Sequence, residues 1–334
     1  MTSDDQSRGD APIRHALVTG GAGFIGSHIV DRLLKEGANV VIYDNFSTGQ
    51  EAFIAHHKDN PQVRVVRADL LDLPTLTREM AGCDFVFHLA ANADVRGGIK
   101  NPRIDLEQNT IATWNVLEAM RHNGVKRLMF ASSATVYGEP AIFPTPEAYA
   151  PLQTSLYGAS KYAGEAMIQA YGEYYGIRSW TFRFVSWIGE RYTHGVIFDF
   201  MKKLIADPAE LEVLGNGEQK KSYLDVRDGV DGILFAIRHL KGRKNIVNLG
   251  HDDWMNVLEL ARVVTDEMGL RGVRLRTTGG ERGWLGDAPF VHLDTTQLKA
   301  IGWAPRTSIE EGIRSTVRYL KANPHVLDRR KMGG

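Results

Sequence analysis

Apolar residues fall in short runs separated by longer amphipathic stretches through the first half of the chain. Ala16–Thr19, Asn39–Tyr43, Val63–Arg67, Phe85–Leu89, Arg127–Ala131 and Arg178–Phe184 have strand length and strand composition. Between them, Phe24–Lys35, Leu73–Met80, Asp105–Asn123 and Thr154–Tyr175 place apolar residues at helical spacing. Buried strands alternating with helices predict an α/β fold, a doubly wound parallel sheet with crossovers on both faces. The later pattern is less regular. Gly195–Ile205, Arg227–His239, Asn256–Met268 and Ser308–Lys321 read as helices, Leu211–Leu214 and Val273–Arg276 as strands, and Gly215–Gly217 and Gly279–Pro289 as loops. These predict a smaller C-terminal α/β lobe over the carboxyl edge of the sheet, where ligands bind in this architecture. The expected division is 13–185 for the sheet domain, with about 222–255 returning to it, 186–221 and 256–322 for the lobe, and tails at 1–12 and 323–334.

The first strand runs into Thr19-Gly20-Gly21-Ala22-Gly23-Phe24-Ile25-Gly26 and then into a helix. Glycines allow the backbone to approach a pyrophosphate, and the helix N-terminus turns free N–H groups and its positive dipole end towards it. The second strand ends in Asp44, placed where an acid accepts the ribose hydroxyls of a bound dinucleotide. A Rossmann-type dinucleotide site is therefore expected at this edge.

Composition narrows the setting. Lys plus Arg and Asp plus Glu both number 40, so no net field favours nucleic acid or an anionic membrane. No apolar run approaches membrane-span length, and residues 1–12 lack the apolar core of a signal peptide. The single cysteine, Cys83, rules out an internal disulfide or a cysteine-rich metal site and reads as a small buried apolar residue; no metal-ligand set is expected. A cytoplasmic protein is the simplest reading. Two helices carry more apolar surface than one sheet face needs: Ile111, Trp114, Leu117 and Met120 in 105–123, and Tyr162, Met167, Ile168, Tyr171 and Tyr175 in 154–175. Beyond covering the sheet, their outer faces would pair two copies into a homodimer.

Tyr157 and Lys161 form the only Y-x-x-x-K in the chain and share a helix face. A free tyrosine titrates near 10, too high for a base at neutral pH; a nearby ammonium and an oxidised nicotinamide would favour the phenolate. Such a pair could move a proton on and off a carbinol. Phe130–Gly138 leaves the fifth strand through Ser132, Ser133 and Thr135, which brings hydroxyls to the same sheet edge as the glycine turn.

Together these motifs resemble the extended short-chain dehydrogenase/reductases, and within them the NAD-dependent nucleotide-sugar epimerases of the UDP-galactose 4-epimerase type. The resemblance spans about His15 to Tyr319 and rests on the glycine turn, Tyr43-Asp44-Asn45, Asp69-Leu70, His88-Leu89-Ala90-Ala91, Ser132–Gly138, Tyr157-x-x-x-Lys161 and Arg183-Phe184. It implies that Gly20, Gly23, Phe24, Ile25 and Gly26 hold the pyrophosphate of NAD, and that Asp44 and Asn45 bind the adenosine ribose. Asp69 and Leu70 would flank adenine, and Leu89, Ala90 and Ala91, with Asn109 and Phe184, would line the cofactor channel. Tyr157 would be the acid/base, Ser133 its partner, and Lys161 would also bond the nicotinamide ribose. An acid at Asp44 repels a 2′-phosphate and favours NAD over NADP.

Within that family, 4,6-dehydratases carry an Asp-Glu pair after the active-site Thr. Decarboxylases carry Glu, and 3,5-epimerases Cys, where this chain has Thr135. The resemblance therefore implies 4-epimerase chemistry on a nucleotide-diphosphate sugar: transient oxidation at C4 with NAD+ kept bound, and hydride return to the opposite face. The alternatives are a net dehydrogenase or C3/C5 epimerase of the same family, or a non-catalytic NAD-binding regulator. The expected substrate contacts are Arg96, Thr135, Ser186, His194, Val196, Lys221, Tyr223, Arg282 and Asp287. Ser186 stands where the family usually has Asn, and Lys221 where it usually has a phosphate-binding Arg. The sugar and the base are not read from the sequence.

Overall fold

A computed structural model describes residues 11–328. The chain forms two compact units. The first takes in the chain up to Gly138, then Glu147–Phe184 and Val230–Asn248; the second takes in Glu139–Pro146, Val185–Gly229 and the chain from Leu249 onward.

The first unit is a seven-stranded sheet. Strands β1 (His15–Thr19), β2 (Asn39–Asp44), β3 (Val63–Arg67), β4 (Phe85–His88), β5 (Arg127–Ser133) and β6 (Arg178–Phe184) pair in parallel, and Lys244–Leu249 joins beside β6. The order is Lys244–Leu249, β6, β5, β4, β1, β2, β3. The step from β1 outward to β2 and β3, and back across to β4, puts a topological switch point at the carboxyl end of β1, where open α/β sheets bind ligands. Leu17, Val86, Leu128 and Phe130 form the centre of the core, and Phe85 stacks on Phe87 and Trp180.

Helices α1 (Phe24–Lys35), α2 (Leu73–Glu79), α3 (Ala112–Asn123) and α4 (Leu156–Tyr175) flank the sheet. Ser155 caps α4, its hydroxyl accepting from the Gly158 N–H at 3.0 Å. The buried stripe of α4 is Gly158, Lys161, Glu165, Ile168 and Gly172, a helical repeat that carries two charged residues inward.

In the second unit, Ser186–Ile188 pairs with Tyr223–Asp225 and Glu210–Val213 with Arg274–Thr277, both in parallel. Lys220–Lys221 lies between Met255–Asn256 and Phe290–Val291. Helices Val196–Ala206, Val257–Glu267 and Ile309–Ala322 supply a core that includes Ile197, Leu260, Val264, Ile313 and Val317.

Two features depart from the sequence reading. Asp105–Asn123 is not one regular helix: Leu106–Ile111 is a wide π turn ahead of α3. The extra residue in that turn brings Asp105, Asn109 and Thr113 onto the buried face together. The stretch after 322 is not a loose tail within the described residues, since His325–Asp328 forms a helical turn that buries Val326 and Leu327. The expected tail residues 1–10 and 329–334 lie outside the described residues. The two aromatic helices divide into inner and outer faces as the sequence reading expected. Leu117, Met120 and Ile168 are core residues, whereas Ile111, Trp114, Tyr162 and Tyr175 are exposed.

Candidate active site

The turn after β1 is shaped by backbone contact. Gly20 has φ +67°, and a Cβ there would lie 2.9 Å from the Ala90 nitrogen. A Cβ on Gly26 would lie 2.1 Å from the Gly20 carbonyl oxygen. Only glycine fits either position. Gly23 opens α1 with no side-chain cap, so the first-turn N–H groups stay open to an anion. Asp44, at the end of β2, accepts from the Ala22 N–H at 2.9 Å and the Phe46 N–H at 2.8 Å, which locks its carboxylate beside the glycine turn. Burial raises its carboxyl above the usual range, and those N–H groups oppose the shift. Asn45 donates to Asp69 Oδ2 at 2.9 Å, and the Tyr43 hydroxyl donates to the Asp69 carbonyl at 3.0 Å. The buried Asn115 side chain holds the Leu70 carbonyl at 2.7 Å. A glycine cradle that a methyl group would fill, an uncapped helix start and a fixed acid one strand away fit a dinucleotide.

A buried polar chain fixes the next part of this edge. Thr19 Oγ1 lies 2.8 Å from His88 Nδ1, and His88 Nε2 lies 3.0 Å from Thr113 Oγ1. Thr113 donates its one hydroxyl proton to the Asn109 carbonyl at 2.6 Å. It must therefore accept from His88 Nε2–H, which leaves Nδ1 to accept from the Thr19 hydroxyl. Thr19 Oγ1 in turn accepts from the Leu89 and Ala90 N–H groups, both at 3.2 Å. Burial, with the Lys161 charge nearby, pushes His88 down to about 3, so the ring is neutral. Leu89-Ala90-Ala91 is thereby tied to the end of β1. The sequence reading used His88 only as a motif letter; the histidine on an otherwise apolar strand was the available signal.

Ser133, Tyr157 and Lys161 meet at the ends of β5 and α4. Ser133 stands close enough to Tyr157 to act on its hydroxyl, and its own hydroxyl accepts from Thr135 Oγ1 at 2.9 Å. Lys161 is buried; its Nζ donates to the Ala131 carbonyl at 2.9 Å and sits 5.8 Å from the Tyr157 ring centroid. Burial pushes the Tyr157 hydroxyl up to about 12; the Asp105 charge adds to the rise, and the Ser133 hydrogen bond opposes it. Burial pushes Lys161 down to about 8, against Asp105 and Glu165. Of the two positive charges expected to favour the phenolate, the Lys161 ammonium does not offset desolvation, so without the nicotinamide charge the phenol keeps its proton.

The sequence reading also missed two buried acids. Asp105 Oδ1 accepts from Asn92 at 2.9 Å and Asn109 at 3.1 Å, while Oδ2 has no hydrogen-bond partner among the described residues. Asn109 also donates to Ser160 at 2.8 Å, and Ser160 donates to the Tyr157 carbonyl at 2.8 Å. Glu165 accepts from Arg183 at 2.7 and 3.0 Å and from Ser132 at 2.5 Å. A charged residue on the apolar stripe of a helix was the signal for Glu165; Asp105 became visible only through the π turn. Phe184 ends β6 beside Ser133, buried, and Arg96 is exposed near Asp94.

The other expected substrate contacts belong to the second unit. Lys221 Nζ donates to Asp287 Oδ1 at 2.7 Å and to the Ala288 carbonyl, and Asp287 Oδ2 accepts from the Gly283 N–H at 3.1 Å. Lys221 and Asp287, read separately as ligand contacts, are partners of each other. Arg282 pairs with Glu139 at 2.8 Å. Tyr223 is buried, and desolvation raises its hydroxyl far above its ordinary value, with Asp287 adding to the shift. Ser186 is exposed, and Val196 starts its helix after Gly195. The His194 ring lies parallel to Tyr192, with centroids 6.2 Å apart.

A parallel sheet with a glycine turn at its switch point, and a Ser–Tyr–Lys set at the same strand ends, defines a dinucleotide-dependent enzyme of the short-chain dehydrogenase/reductase class. Residues 16–250 match the model of the NAD dependent epimerase/dehydratase family, and the chain belongs to that family. It is 35% identical over 313 residues to a putative UDP-glucose 4-epimerase of Methanocaldococcus jannaschii, covering 92% of this chain and 98% of that one. It is 29% identical to UDP-glucuronic acid decarboxylase 1 of Xenopus tropicalis, covering 92% and 72% of the respective chains. A solved UDP-galactose 4-epimerase superposes with a TM-score of 0.83 at 38% identity, covering 92% and 99%. The protein is thus a member of an NAD-dependent nucleotide-sugar enzyme family whose members epimerise, dehydrate or decarboxylate. No helix among the described residues is long and apolar enough to cross a membrane.

Proposed function

We propose that this protein is a nucleotide-diphosphate-sugar 4-epimerase. The observation that carries this reading is Tyr157 set between Ser133, at the end of β5, and the buried Lys161, with Thr135 in place of a carboxylate or thiol. NAD, when bound, would supply a reversible two-electron acceptor. With the positive charge of bound NAD+ added to that of Lys161, Tyr157 would ionise, take the proton of the C4 hydroxyl as phenolate, and return it once the 4-keto sugar has presented its other face. Ser133 hydrogen-bonds the same oxygen and holds it in line with the phenol. Lys161 adds positive charge beneath the pair. Gly20, Gly23 and Gly26 seat the pyrophosphate, and Asp44 with Asn45 takes the adenosine ribose. Arg96, Thr135, Ser186, His194, Val196, Tyr223, Arg282 and the Lys221–Asp287 pair are assigned to the sugar nucleotide. Lys221 and Arg282 each meet a diphosphate only by loosening the bond to Asp287 or Glu139.

A panel of UDP-, GDP-, ADP-, CDP- and dTDP-sugars followed by NMR in D2O tests the reading. Inversion at C4 without solvent deuterium at C4 is expected, and Tyr157→Phe should lower kcat by about 10²–10⁴-fold with NAD still held. Absence of inversion on every substrate, or net release of carbon dioxide or water from the sugar, would refute it. The exposed Trp114, Ile111, Tyr162 and Tyr175 are assigned to a homodimer contact; Trp114→Lys should then convert a dimer to a monomer in sedimentation.

A further inference from the structure

Away from the dinucleotide edge, α1 and the segment after β2 bring a carboxylate and two imidazoles together. Asp31 stands on α1. His56 and His57 end the single helical turn Ala55–His57, which follows the buried anchors Phe53 and Ile54. Both rings reach Asp31 through the same nitrogen: Nε2 of His56 lies 2.8 Å and Nε2 of His57 2.6 Å from one oxygen, Oδ1. The three atoms all lie within 4.8 Å of one another. One carboxylate oxygen can accept from both rings, but a surface ion pair gives little in return for ordering two histidine side chains. Two consecutive histidines turned through the same atom to the same oxygen make a ligand set instead.

We propose that Asp31, His56 and His57 bind a divalent transition-metal ion, with zinc favoured, in a site separate from the active site. Bonds of 2.0–2.2 Å in a tetrahedron put ligand atoms about 3.3 Å apart. The present spacings of 2.6 and 2.8 Å need to open by roughly 0.5–0.7 Å, which the exposed His56 ring can supply on its side and a rotation of the part-exposed Asp31 carboxylate on the side of His57. Coordination needs a lone pair on each Nε2. A neutral ring meets this by carrying its proton on Nδ1, an exchange through solvent that releases no net proton. Two nitrogen donors of three favour zinc, nickel or cobalt and disfavour magnesium and calcium, which prefer all-oxygen shells. Three protein ligands leave a fourth position on the solvent side, where the His56 side chain is 47% exposed. Because α1 starts at the glycine turn and His56 and His57 follow Asp44 in the chain, the ion would tie together two segments of the first unit.

The test uses the full chain, stripped with chelator and titrated with Zn²⁺ alone against a chromophoric competitor. One equivalent should bind, and Tm should rise. His57→Ala and Asp31→Asn should each weaken binding by more than about tenfold, since loss of even a group that only hydrogen-bonds a metal ligand costs about 10–100-fold. His122→Ala, an exposed histidine elsewhere, should change nothing. Mg²⁺ should not compete. Circular dichroism and metal-free Tm of each variant separate lost binding from lost folding. Less than one equivalent in the wild type, binding that survives His57→Ala and Asp31→Asn in folded protein, or equal affinity for Mg²⁺ would overturn the proposal. None of these readouts depends on turnover, so the result stands apart from the epimerase reading.

Discussion

Lowering the pH from 7.5 to 5 should destabilise the first unit by about 2 kcal/mol through His88 alone. The folded ring titrates at about 3, against 6.5 for an ordinary histidine. Below 6.5 the unfolded chain takes up a proton that the folded chain refuses. The stability contributed by a neutral His88 is therefore complete above 6.5 and declines by about 1.4 kcal/mol per pH unit on the way down to 3. From 6.5 to 5 that is about 2 kcal/mol. The hydrogen bonds explain why the ring refuses the proton. Nδ1 accepts from the Thr19 hydroxyl, whose oxygen already receives two backbone N–H groups. A proton on Nδ1 would face a donor that cannot turn into an acceptor without releasing Leu89 or Ala90. Equilibrium urea unfolding of the wild type and of His88→Gln at both pH values isolates the effect, because the other titrating groups cancel in the difference. The variant should start about 1–3 kcal/mol less stable, through its orphaned hydroxyls, but lose about 2 kcal/mol less on acidification. Equal pH dependence in the two proteins would refute the argument.

Gly26→Ala puts a methyl group against the Gly20 carbonyl, and the turn must move; NAD affinity, read by fluorescence titration, should fall at least about tenfold, the equivalent of about 1.4 kcal/mol of misplaced contact. Arg183→Met leaves Glu165 charged and buried, and urea unfolding should show a loss of about 3–5 kcal/mol, much of it recovered by adding Glu165→Leu. Asp105→Asn removes a negative charge that raises Tyr157, so the acidic limb of the kcat/KM profile should move to lower pH. A purely structural role for Asp105 would lower the rate and leave that limb in place.

The dinucleotide half of the site was legible because its physics is local. Gly20, Gly23 and Gly26 are dictated by close backbone approach, and Asp44 follows a strand of fixed length, so spacing along the chain carries the geometry. The parallel sheet was legible for a related reason: buried strands read as apolar runs. The strand Lys244–Leu249 escaped because it begins with Lys-Asn and enters the sheet only by pairing with β6 from far away in sequence. The π turn escaped because one extra residue leaves the apolar periodicity of 105–123 nearly unchanged while rotating Asp105 and Asn109 inward. Lys221 and Asp287 lie 66 positions apart, and no sequence pattern marks them as a pair.

The reaction assignment rests on an inventory of protons. Removing and restoring one carbinol proton needs a single base. Eliminating water across two carbons needs a further acid and base, and releasing a carboxyl group needs help for the charge that develops. The buried acids whose charges act on Tyr157 or Lys161 are Asp105 and Glu165. Glu165 is spent on Arg183 and Ser132, where a bidentate guanidinium keeps its carboxylate from serving as a mobile base. Asp105 lies behind Asn92 and Asn109, both of which donate to its Oδ1, and its effect on Tyr157 is to raise the phenol rather than to share a substrate with it. Thr135, turned to Ser133, has no proton to exchange at neutral pH. That leaves the Tyr157 phenol as the proposed proton carrier, with the Ser133 hydroxyl and the Lys161 ammonium beside it. This inventory favours the proposed oxidation and re-reduction at C4 over the elimination or decarboxylation catalysed by other members of the family.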